Sequence, residues 1–190
     1  MLVAALAVAL TVNVSASPDI PVALVSRALN ETSAIWRAAG VEFIWQHGPS
    51  YSPTAALHVV IGNEARPVLE GGLALGWIYF DESTPGHRIY VSYKNVHQLM
   101  LDSAGVIGPQ DRMPLFEREV LMARAVGRAL AHEFGHYFLA SKVHTSSGLM
   151  KAHRTATEFF GPDDRAFKLD GEQRSLISAR LARESVVVSR

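Results

Sequence analysis

The chain contains no cysteine. That excludes disulfides, thiolate metal sites and a cysteine nucleophile. It also excludes latency enforced by a cysteine capping a metal. No charge excess stands out, since 18 Lys and Arg balance 18 Asp and Glu, and no basic run occurs. Nucleic acid is therefore not an expected partner. No apolar run reaches the length needed to span a bilayer, so no integral membrane segment is expected. No Lys or Arg precedes Arg27, so the basic start of an export signal is missing. Yet Met1 to Leu10 is apolar, and Val14-Ser15-Ala16 has the small residues of a cleavage site. The segment reads as a buried first strand, Leu10 to Ser15, with residues 1–8 the remnant of an export signal.

What is present is enough for a core. The 190 residues are 48% hydrophobic, which fits one folded domain covering 1–190, without disulfide staples. The predicted order begins with a strand near 9–15 and a turn at Ser17-Pro18-Asp19. A helix over 21–39 follows, stopped by Gly40, and then a strand over Val41–Trp45. A loop over 47–53 leads to a strand over 57–61. The glycine-bearing stretch 71–80 suits an edge strand. A turn at Pro85-Gly86 precedes a strand over 88–93, a short helix over 96–102 and a loop with Gly105, Gly108 and Pro109. A long helix then starts near Pro114, and a closing helix spans 169–184.

The long helix carries His132-Glu133-Phe134-Gly135-His136. Residues four apart lie about 40° apart around a helix and one turn along it, so both imidazoles can grip one ion. Neutral imidazole suits zinc, and Glu133 can face a water on an open coordination position. HExxH arises by chance in roughly 2% of chains of this composition and length, so its context matters. Phe116, Val120, Ala123, Gly127, Leu130, Phe134 and Phe138 recur at helical spacing and form a packing seam turned away from the histidines. Ala125 and Ala129 keep bulk off the histidine side. Tyr137 is expected to pack. His47, His58, His87 and His97 have no ligand spacing and read as structural or surface residues. Asp163, Asp164 and Asp170 lack a calcium-loop pattern.

Catalytic zinc usually has three protein ligands. His144 is the leading candidate for the third, if the helix ends after His136 and the chain swings back. Glu158 and His153 are the rivals. Ser147-Gly148-Leu149-Met150 follows.

Taken together, HEFGH, a nearby third histidine and a following Gly-Leu-Met resemble the metzincin metalloproteases, especially the matrixin type. The family pattern is HExxHxxGxxH followed by a tight turn carrying a methionine. The resemblance implies an α+β, zincin-like fold: a mixed twisted sheet of four to five strands, an active-site helix and a C-terminal helix. It implies one catalytic Zn2+ held by His132, His136 and His144, with Glu133 as general base and Met150 as the Met-turn residue. The family's substrate-holding edge strand would match Leu73, Ala74, Leu75 and Gly76 onward to Phe80. The wall after Met150, Lys151 to Phe160, would set specificity. The implied protein is a monomeric zinc endopeptidase acting on peptide or protein substrates, secreted or periplasmic, with the cytoplasm as the alternative. Two departures stand out. Seven residues separate His136 from His144 where the family has five, and Leu139 replaces the family glycine. They motivate an alternative, a catalytically silent zinc-binding module on the same fold. A metal-free helical protein with an accidental HExxH is a third reading.

Overall fold

The protein is described from a computed structural model covering residues 8–48, 57–64 and 73–188. Residues 1–7 of the expected export remnant, most of the loop over 47–53 and the pair Gly71-Gly72 lie outside these residues, while Val8 opens β1. The elements in order are β1 (Val8–Ala16), α1 (Val22–Arg37), β2 (Val41–His47), β3 (Leu57–Gly62), β4 (Gly76–Asp81) and β5 (Thr84–Ser92). Then come α2 (Tyr93–Asp102), α3 (Ala104–Ile107), α4 (Leu115–Leu139), α5 (Ala156–Phe160) and α6 (Gly171–Val188).

The five strands form one mixed sheet in the order β2-β1-β3-β5-β4. The three pairings along β2, β1, β3 and β5 are parallel, and β4 is an antiparallel edge strand on β5. The inward residues of the central strands are β-branched or leucine, as two-sided burial favours. Val12 and Val14 of β1, Leu57, Val59 and Ile61 of β3, and Ile89 and Val91 of β5 are all buried. The predicted first strand, Leu10 to Ser15, thus lies within a central strand of the sheet.

Helix α4 lies across this core, tied to α1 by polar anchors. The Thr32 hydroxyl bonds Gly127 O at 2.9 Å, and the Trp36 indole N–H donates to Ala131 O at 3.1 Å. Ala123, Leu130, Phe134 and Phe138 of the expected seam are buried. Phe116 is not. It is 63% exposed, because the first turn of α4 projects beyond the core, and the Arg27 guanidinium covers its ring at 5.1 Å.

Several boundaries differ from the sequence expectation: a short helix, α3, forms in the predicted loop at Gly105, and the closing helix runs from Gly171 to Val188. The edge strand starts at Gly76 rather than near residue 71; Leu73 makes only an isolated bridge. The chain reverses at Glu82-Ser83, not at Pro85-Gly86, which lie within β5. Pro85 opposes Phe80 beside a register shift between Ile78 and Phe80, and a Cβ on Gly86 would stand 3.1 Å from Tyr79 O. Proline and glycine here serve an irregularity in the ladder, a position each tolerates. Finally, α5 occupies part of the expected wall. Thr155 and Glu158 form a capping box at its start, a pairing legible in the sequence as T-x-x-E. Among the described residues no helix is long and apolar enough to cross a membrane.

Candidate metal centre

His132, Glu133 and His136 lie in the last two turns of α4, where the helix runs under the sheet's β4 edge. His136 and Glu133 are each 7% exposed. The helix ends at Leu139, and Ala140 takes the left-handed conformation, φ 47°, ψ 42°. Its N–H and that of Ser141 return to His136 O and neighbouring carbonyls of the last turn. The turn expected at the family glycine therefore occurs one residue later, on an alanine. From there Ser141–Val143 carry the chain back, and His144 joins the two helix histidines.

The three rings converge. His132 Nε2 is 3.1 Å from His136 Nε2 and 3.2 Å from His144 Nε2. One ligand atom from each of the three lies within 4.8 Å of the others, and no other such group of three occurs among the described residues. Glu158 stands outside this group and is engaged elsewhere. Its Oε2 accepts from Thr155 N–H at 2.7 Å and its Oε1 from Lys151 Nζ at 2.9 Å. His153 stands outside the group, near enough to act on His144 by charge.

The tautomers follow from the partners. His132 Nδ1–H donates to Leu149 O at 2.8 Å, and His136 Nδ1–H donates to Ser141 O at 2.6 Å. A carbonyl can only accept, so each Nδ1 carries the proton. Burial, ahead of the mutual charges, holds His132 down to about 3 and lowers His136. Both rings are then neutral, and two bare Nε2 lone pairs face each other at 3.1 Å. That arrangement is repulsive without a cation between them. The donor set suits zinc: two nitrogens at ordinary Zn–N distances on a tetrahedral ion lie about 3.3–3.4 Å apart. Each Nδ1 bond to a carbonyl is the outer-shell contact that usually orients such ligands.

Glu133 points to the same side. Burial pushes its carboxyl up to about 8, and a nearby cation would favour the ionised form. The side chain lies against the start of β4: a Cβ on Gly76 would stand 2.7 Å from Glu133 Cγ and 3.2 Å from Oε1. Of the four residues expected to hold substrate, only Gly76 is within β4. Ala74 O and Leu75 O are turned inward, accepting from Asn95 Nδ2 and Ser92 N–H.

Beneath the rings, Lys151 N–H closes a turn onto Gly148 O at 3.2 Å, and Thr145 N–H donates to Met150 O at 2.9 Å. Met150 is 1% exposed, and its sulfur packs directly on Gly135. The missing side chain at Gly135 leaves room for this thioether. Tyr137 is buried against Phe138 and beneath the Arg180 guanidinium, as expected of a packing residue.

No family model and no curated protein matches the sequence. Solved structures do: 37 chains are similar. One is the crystal structure of archaemetzincin from Methanopyrus kandleri, with a TM-score of 0.56 and 16% identity. The match covers 92% of this chain and 96% of that one. The fold is zincin-like. The likeness extends over nearly all of both chains. The three histidines that converge are those the sequence singled out, but nothing in it marked Leu149 O or Ser141 O, which accept from two of the rings. Backbone acceptors carry no residue-type signal.

Proposed function

We propose that the protein is a zinc-dependent endopeptidase of the metzincin type, matrixin-like in its motif. The observation that carries this reading is the convergence of three Nε2 atoms, that of His132 lying 3.1 Å from His136 Nε2 and 3.2 Å from His144 Nε2. His132, His136 and His144 would hold one Zn2+. The ion, when bound, supplies Lewis acidity, lowering the pKa of water toward neutrality and favouring negative charge on a carbonyl oxygen.

The remaining work belongs to the chain. Glu133 takes the proton of the attacking water at a carboxylate oxygen and delivers it to the leaving amine nitrogen. Its burial against Gly76 holds that oxygen beside the edge strand. A peptide added in extended form along β4 would therefore pass its scissile carbonyl in front of Glu133, held by main-chain hydrogen bonds. The outer edge of β4 has no paired strand among the described residues. Met150 in the Gly148–Lys151 turn acts as the Met-turn residue, an apolar floor under the rings. The segment from Lys151 to Phe160 forms the wall that sets specificity.

The test is Glu133→Ala. The variant should keep one zinc per chain by metal analysis and lose cleavage of an internally quenched peptide library. The base assignment fails if cleavage persists. A wild-type protein that holds zinc but cleaves no peptide would instead favour the silent binding module.

A further inference from the structure

The two helix ligands are oriented in different ways. His136 donates to Ser141 O, which the end of α4 itself holds in place. His132 donates to Leu149 O, which belongs to a turn well beyond the helix and needs its own fixture. Leu149 N–H donates to Lys168 O at 3.0 Å. The second fixture is Arg154. Its Nη2 donates to Leu149 O at 3.0 Å and to Gly148 O, and its Nη1 donates to Ala166 O at 3.0 Å. The guanidinium lies 3.9 Å from the Phe167 ring centroid.

The side chain of this arginine is 2% exposed, and the nearest carboxylate, Glu158 Oε1, is 3.8 Å away and already engaged by Lys151. Burying a cation with so little anionic compensation is costly. Carbonyl oxygens and an aromatic face carry most of its solvation. Leu149 O has two lone pairs; the imidazole takes one and the guanidinium the other.

We propose that Arg154 is a positioning residue of the metal centre. Its planar fork fixes the Gly148–Leu149 backbone so that Leu149 O stays aligned with His132 Nδ1–H. His132 Nε2 then aims at the point it shares with His136 and His144. This rests on the zinc reading above. Lysine cannot substitute fully, because an ammonium has no planar fork to span two carbonyls and a third beyond them.

The experiment compares wild type, Arg154→Lys and Arg154→Met. Two quantities are read: zinc affinity by chelator competition, and the His132 Nδ1–H resonance of protein labelled with 15N in its imidazoles, with and without zinc. Arg154→Met should weaken zinc binding by about tenfold to a hundredfold, the usual effect of losing an outer-shell partner. Arg154→Lys should fall between, and both should shift the His132 resonance. A role in packing alone would lower thermal stability and leave both readouts in place, which overturns the proposal. If the methionine variant does not fold, the lysine variant decides on the same terms. Wild-type protein that takes up no zinc would refute the proposed function; the metal-free His132 resonance would then decide the Arg154 contact by itself.

Discussion

Met150 sulfur occupies the space that a side chain on residue 135 would need. The glycine inside HExxH is thus matched to the methionine downstream, and the turn beneath the rings is seated by that contact. Gly135→Ala should disturb it. Overpacking costs about 1–3 kcal/mol, set against about 1 kcal/mol gained in helix propensity. The variant should be less stable and bind zinc more weakly, because Leu149 moves with Met150. Adding Met150→Ala should recover part of the zinc affinity in a double-mutant cycle. Additive effects of the two changes would show that the contact is not coupled to the metal.

Gly76 and Glu133 form a second matched pair. In Gly76→Ala the new methyl would press on Glu133 Cγ and on Tyr90 O, at 2.7 and 3.0 Å. The carboxylate must shift, and a displacement near 1 Å at a catalytic group costs on the order of a hundredfold in rate. Cleavage should fall by that order while zinc content stays at the wild-type level. A variant with full activity would separate β4 from the chemistry.

Ala140 holds a left-handed conformation, which costs an alanine about 1–2 kcal/mol. Ala140→Gly removes that strain but adds unfolded-state entropy of roughly 0.5–1 kcal/mol. The net expectation is a gain of about 0.5–1 kcal/mol, seen as a higher urea midpoint with an unchanged slope. An unchanged or lower midpoint would contradict the strain assigned to this residue.

The histidines and Glu133 give the metal-free protein opposite pH dependences. Burial lowers His132, His136 and His144 below 6.5, with His132 near 3. As pH falls through about 6.5 the unfolded chain takes up protons that the folded one refuses, so stability drops on the acid side. Glu133 is raised from 4.5 to about 8. Its unfolded form ionises first, so its contribution is present below 4.5 and is lost as pH rises toward 8. Glu133→Gln removes only the second effect. Its metal-free stability relative to wild type should therefore climb between pH 4.5 and 8 in urea titrations. A difference that stays flat across that window would refute the burial of an ionisable Glu133.

Much of this was legible before any coordinates. Helical spacing placed His132 and His136 on one face, and β-branched runs marked the central strands. Some legible signals were open to misreading. Pro85-Gly86 has turn composition but serves a ladder irregularity, since proline and glycine fit both. The T-x-x-E of Thr155 and Glu158 is a capping box, and it uses the very carboxylate that rivalled His144.

The sequence by itself determined the chemistry on offer: two imidazoles and a carboxylate on one helix, with no thiol anywhere. Helix periodicity is local, so residue order alone sets it. Only the tertiary structure decided which later side chain joins them. That depended on an alanine bending left-handed at residue 140, on which carboxylate was already spent, and on backbone carbonyls at 141 and 149 that orient the rings. Those contacts join segments far apart in the chain, and the packing of β4, α4 and the turn at Met150 fixes them.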